Sequence, residues 1–168
     1  IPINMKKVYS AELYSNWQVF SLTLLRVLIG WHFLYEGLVK FLSSPAWSAE
    51  SYLMGSVGPL ARFFKAMASH PTLLNAIDFL NIWGLILIGL GLFIGLLARP
   101  LKICGIALLL LYYLAYPPFA SLAVNIPVEG NYWVVNKNLI ELSALLVLYF
   151  FPSSQITGID RFFIKQTR

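Results

Sequence analysis

His32, Glu36 and Lys40 recur at four-residue intervals, which on a helix stacks an imidazole, a carboxylate and an ammonium along one stripe. A histidine beside a carboxylate can hold or pass a proton near neutral pH, and a lysine can bind an anion. Asp78 and Asn81, and further on Lys137, Asn138 and Glu141, supply more groups of the same kinds. Lys137 and Glu141 are again four apart, so each stretch can neutralise part of its own charge.

The elements that carry these residues are unusually apolar. Of 168 residues, 59% are hydrophobic and 11% charged, and the mean hydropathy is +0.74. A water-soluble domain has about a quarter of its residues charged. The solvent is therefore a bilayer, and the chain is expected to be an all-α, polytopic membrane protein: a four-transmembrane-helix bundle forming a single membrane domain over residues 1–168. The spans are predicted at 17–42, 72–98, 101–116 and 132–151. An amphipathic outer segment at 46–69, too polar to cross, lies in the interface between the first two spans. Ser48 is its expected N-cap, and Gly58 with Pro59 is the expected division between two short helices. Pro71 opens the second span, Arg99 with Pro100 stops it, and Pro117 with Pro118 ends the third. Gly84, Gly89, Gly91 and Gly95 predict a face that another helix approaches closely.

Four spans place both termini on the side of the loop between the second and third. That side would carry Lys6, Lys7, Arg99, Lys102, Arg161, Lys165 and Arg168, against Arg62 and Lys65 outside and Lys40 and Lys137 at span ends. The positive-inside rule then gives a multi-pass protein of the bacterial cytoplasmic (inner) membrane with both termini cytoplasmic. The same rule accounts for the net charge of +5 without nucleic acid as a partner; membrane lipids are the expected surroundings. The first apolar run is too long for a cleaved leader and is expected to remain as an anchor. One cysteine, Cys104, leaves no intrachain disulfide and no cysteine metal cluster. His32 and His70 would lie roughly 15 Å apart in depth, too far for one haem iron, and no zinc or phosphate-loop motif occurs, so no metal is expected.

Depth is the most informative feature. Counted from the outer ends, Glu36 lies about 9 Å and His32 about 15 Å into the first span, Asp78 and Asn81 about 10 and 15 Å into the second, and Lys137 to Glu141 about 7 to 14 Å into the fourth. Polar groups avoid lipid, so three spans contributing to one layer predict a satisfied ion-pair network, a polar pocket opening outward, or both. The amphipathic segment, or the 117–131 segment with Asn125, Glu129 and Asn131, would cover it. Arg26, about 24 Å from the outer end, is expected to snorkel at the opposite interface. Trp17, Trp47 and Trp133 suit an interfacial belt, whereas Trp31 and Trp83 lie deeper, where an indole packs or flanks a flat ligand.

The stretch RVLIGWHFLYEGLVKF, with Arg26, Gly30, Phe33, Gly37 and Lys40, resembles the opening signature of the DoxX/DoxD family of small four-helix membrane proteins. The resemblance continues through GLILIGLGLFIGLLARP and KNLIELSALLVL, and SPAWSAESYLMGSVGPLARFF is closer to the DoxD branch, a subunit type of thiosulfate:quinone oxidoreductase. It implies a quinone-linked redox subunit with a protein partner and menaquinone or ubiquinone as a cofactor bound without covalent attachment. In that setting His32, Glu36 and Glu141 are the catalytic proton carriers. Asn81 and Asn138 bind carbonyl oxygens, Lys40 and Lys137 bind an anion such as thiosulfate, and Asp78, Trp31 and Trp83 complete the ligand-binding set. One departure stands out: many relatives carry a glutamate near the place of Asn81, leaving Glu36 or Asp78 to substitute. Two other classes fit the same pattern. One is an accessory subunit that docks a partner through Trp47, Tyr52, Phe63 and Phe64; the other is a transporter of a small solute or lipid, which four helices would need a homo-oligomer to build.

Overall fold

The computed structural model describes residues 14–119 and 131–163; Lys6, Lys7, Asn125, Glu129, Lys165 and Arg168 lie outside them. Helix α1 (Asn16–Phe41) starts at a capping box, Ser15 Oγ accepting from Gln18 N at 3.3 Å and Gln18 Oε1 accepting from Ser15 N at 2.8 Å. Two short helices, α2 (Glu50–Met54) and α3 (Ala61–Ala68), precede α4 (Pro71–Ile94) and α5 (Ala98–Ala115). A two-stranded hairpin, β1 (Asn131–Tyr132) with β2 (Val135–Asn136), leads into α6 (Lys137–Phe150), and the short helices α7 (Ser154–Thr157) and α8 (Asp160–Phe163) follow. Among the described residues, three helices are long and apolar enough to cross a membrane: α1, α4 and α5.

Several boundaries differ from expectation. The fourth apolar run is not helical from 132: Tyr132 to Asn136 belong to the hairpin, and Asn136 caps α6 by accepting from Leu139 N at 3.0 Å. The remaining 14 residues cover about 21 Å, short of the other three helices. Arg99 and Pro100 do not end α4. Gly95 does, at a φ of 72° that suits glycine, and Pro100 sits in the first turn of α5, where its missing N–H costs nothing. In the interfacial segment Ala49 occupies the cap position of α2, with Ser48 Oγ accepting from Glu50 N at 3.2 Å just before it.

α1 packs most extensively on α4, and α5 on α6. All four share a core of Ile29, Phe33, Leu85, Ile88, Leu92, Leu109, Leu145 and Leu148, while Leu24, Leu28, Leu87, Leu90, Ile140 and Val147 stay exposed on the flanks, as a lipid-facing surface requires. The α1–α4 crossing is set by Gly30 and Gly89. A Cβ on Gly30 would come within 2.6 Å of Phe93 N, and one on Gly89 would strike the Leu34 backbone. Gly84 plays no part in it, for a Cβ there meets nothing within 4 Å.

Arg26 does not snorkel. It is 2% exposed, and Nη1 donates to Leu92 O at 2.6 Å and Phe93 O at 3.4 Å, carbonyls that the last turn of α4 cannot satisfy itself. Lys102, fully buried, does the same for α6, donating to Leu148 O at 2.9 Å. Asp160 closes the corner from the other side. Its Oδ1 accepts from Leu97 N at 2.8 Å and its Oδ2 from Ala98 N at 3.2 Å, so a carboxylate caps the start of α5. Gly158 rests on Gly95, where a Cβ on either would meet the other's backbone, and Thr157 Oγ1 lies 2.8 Å from Thr23 Oγ1. This end of the bundle is filled by its own hydrogen bonds.

Two expectations follow for thermal unfolding of the full chain in detergent. Gly89→Ala forces the crossing helices apart and lowers stability by about 1–3 kcal/mol, whereas Gly84→Ala, in open space, leaves it level or slightly raised. Asp160→Ala removes the α5 cap and costs about 0.5–2 kcal/mol.

Candidate functional site

At the other end, the end of α1 and the start of α4, the helices enclose a cavity of about 490 Å³. Its depth is apolar, formed by Phe33, Leu85 and Leu109 of the core. Its cover is the interfacial segment: Ala49, Leu53, Phe64 and Met67 face inward, and Val57 N and Gly58 N both donate to Ala115 O, at 3.1 and 3.0 Å. Gly58 lies so close to Leu114 O that a side chain there would displace the cover.

The polar groups form one chain across four helices. His32 Nδ1 and Glu141 Oε1 are 2.8 Å apart, joining α1 to α6. A carboxylate accepting from Nδ1–H leaves Nε2 as the free nitrogen, and Nε2 lies 3.9 Å from Glu36 Oε1. Glu36 Oε2 is 3.9 Å from Lys40 Nζ, which donates to Asn81 Oδ1 at 3.3 Å. Asn81 Nδ2 in turn donates to Tyr112 Oη at 2.6 Å, joining α4 to α5. Both Glu36 contacts are longer than a hydrogen bond. Of the two carboxylates in this polar chain Glu36 is therefore the one with capacity to spare, its side chain 43% exposed against 11% for Glu141.

Lys40 is further held by aromatic faces, its Nζ 4.8 Å from the Trp47 ring centre and 5.8 Å from that of Tyr112. Tyr52 donates to Tyr112 O at 3.3 Å and Tyr116 donates to Tyr52 O at 2.9 Å, so the cover is laced to α5 by phenols as well as by backbone. Burial, reinforced by the neighbouring Tyr112 and Tyr116, pushes the Tyr52 hydroxyl well above its ordinary range and keeps it a donor.

Of the residues singled out by type and spacing, His32, Glu36, Lys40, Asn81, Lys137, Asn138 and Glu141 line this one cavity. Asp78, Trp31 and Trp83 do not. Asp78 Oδ1 accepts from Ala49 N at 2.7 Å, satisfying the open N-terminus of α2 instead. Trp31, one position from His32, is turned about 100° away onto the flank with Tyr35 and Phe93. Trp83 packs there with Phe41 and Phe79. Three residues read as a docking face, Trp47, Tyr52 and Phe64, instead line the cavity, while Phe63 stays outside. Tyr112 was hidden in an apolar run; the available signal was Tyr116 four residues on, which puts two phenols on one face. Among the described residues no group of three or more His, Cys, Asp or Glu is placed to hold a metal ion.

An apolar chamber of this size suits a small, mostly hydrophobic molecule. Donors, a proton-accepting imidazole and a carboxylate held only by long ion contacts on its α1 and α6 walls could exchange protons with that molecule's polar atoms.

No curated protein and no solved structure matches the chain. Residues 21–117, more than half of the 168, match the sequence model of the DoxX family, a stretch that includes His32, Glu36, Lys40, Asn81 and Tyr112 and ends before α6. The protein, a membrane protein by its three long apolar helices, belongs to the DoxX family.

Proposed function

We propose that this DoxX protein is a quinone-interacting redox subunit of the DoxD type, with the α1–α6 wall of the cavity as its proton-handling site. The observation that carries the reading is a hydrophobic chamber holding a histidine clamped by one carboxylate, Glu141, and facing a second, Glu36, left uncommitted. A bound menaquinone or ubiquinone would supply a two-electron, two-proton acceptor. His32 Nε2 and Glu36 hold protons at the chamber surface, and Glu141 keeps the imidazole in the orientation that makes this possible. The second N–H of Asn81, together with Asn138, is available to carbonyl oxygens. Lys137, exposed at the rim, attracts an anionic reductant of the thiosulfate class. Electrons come from such a reductant or from a partner subunit.

In the same reading α6 is the fourth crossing. Leu145 and Leu148 join the core of the three long helices, and Ile140, Val147 and Phe150 face outward as theirs do. Arg99, Lys102 and Arg161 then mark the cytoplasmic end, both termini are cytoplasmic, and the chamber opens on the outer side of the bacterial inner membrane. Arg26, Lys102 and Asp160 fill the opposite end, which favours a one-sided site over a transport path.

Thermal unfolding of the purified full chain tests this. A menaquinone analogue at a hundredfold excess over its Kd adds about 2.7 kcal/mol to the wild type. His32→Ala and Glu141→Gln each weaken binding roughly tenfold, or about 1.4 kcal/mol. If the wild type gains no protection from menaquinone or ubiquinone analogues at any soluble concentration, the quinone assignment is wrong.

A further inference from the structure

The chamber continues sideways. Along one stripe of α4, Gly91 is in contact with Leu101 of α5, Gly84 two turns nearer the chamber faces open space, and Ile77 two turns beyond lines the chamber. On α5 the stripe opposite runs from Leu101 through Leu108 to Leu111, the last two in the chamber wall. On this face the helices meet at Gly91 and Leu101, and toward the chamber the space beside Gly84 is open. At the opening, Leu80 and Leu111 line the cavity and yet are 68% and 46% exposed on the flank. One position further along each helix, Asn81 and Tyr112 bridge the same seam by their 2.6 Å hydrogen bond, a polar sill inside an apolar doorway.

The geometry points to a lateral groove between α4 and α5 that seats the polyprenyl tail of a quinone whose ring lies in the chamber, an inference that rests on the reading above. A groove walled by Leu80, Leu108 and Leu111, with Gly84 leaving space where a side chain would stand, accepts a methyl-branched hydrocarbon. It is continuous with the chamber, so its occupant must carry a head that fits among Glu36, His32 and Asn81. A neutral ring with carbonyl oxygens meets that demand. A phospholipid fits it less well: the inner cation of the chamber, Lys40, is already engaged by Asn81, Glu36 and the rings of Trp47 and Tyr112, so a phosphate there would have to compete with Glu36 for it. The tail then enters from the membrane, and the ring reaches the proton carriers without passing through water.

The test compares a long-tailed menaquinone with tail-less menadione on the full chain in lipid nanodiscs, for the wild type, Gly84→Leu and Gly84→Trp. Gly84 has open space and a helical backbone, so Gly84→Leu is expected to fold; a wild-type unfolding profile for either variant validates its binding data. The wild type should prefer the long-tailed quinone, and each variant should reduce that preference roughly tenfold with menadione affinity little changed. An unchanged ratio in both variants, or an equal loss of both quinones, overturns the groove while leaving the chamber assignment standing. Failure of the wild type to bind either quinone overturns the chamber assignment itself. Native mass spectrometry that finds a phospholipid on the wild type and not on Gly84→Leu, with no tail preference, overturns the polyprenyl assignment.

Discussion

A hydrogen-bonding side chain placed among hydrocarbon has to find its partner on another helix, and the His32–Glu141 bond is where this chain meets that demand most directly. It joins α1 to α6, across the seam where the two share few other contacts. The Asn81–Tyr112 bond does the same for α4 and α5. Between them Glu36 and Lys40 fill the stripe of α1, so polar partners drawn from four helices hold open a space that apolar packing alone would have closed.

The two ends of the bundle use buried charge in opposite ways. At the Gly95 corner Arg26 and Lys102 donate to backbone carbonyls and Asp160 accepts from backbone amides, so side-chain charge is consumed in finishing helices. At the chamber the side chains bond mainly to each other, and one carboxylate is left partly free. A region whose charged groups end mainly on backbone has little to offer a ligand; one whose polar groups end on each other can exchange a partner for a substrate atom.

Much of this was legible in the chain. The four-residue spacing of His32, Glu36 and Lys40 holds because helix periodicity is rigid, and depth counting works because rise per residue is constant. Asp78 went astray for a local reason: the open amide of Ala49 was nearer than the chamber, and spacing carries no information about a neighbouring helix start. Trp31 and Trp83 were chosen by depth alone, while the direction of a side chain changes by about 100° per residue. Gly84 shows the same limit among small residues. Glycine pattern marks where contact is permitted, and only packing decides whether a contact, as at Gly89, or a gap results. Arg26 was given the wrong partner, because unsatisfied carbonyls at the end of α4 compete with water and headgroups.

The fastening of the cover to Ala115, and of His32 to Glu141, also bears on how the protein is made. Ribosomal synthesis delivers α1, α2 and α3 before α5 and long before α6. The imidazole therefore waits in the translocon or nascent bilayer until α6 arrives, and the interfacial helices wait for the end of α5. Biogenesis must accordingly include a late settling step, in which lateral association of α6 with the helices made before it completes the chamber.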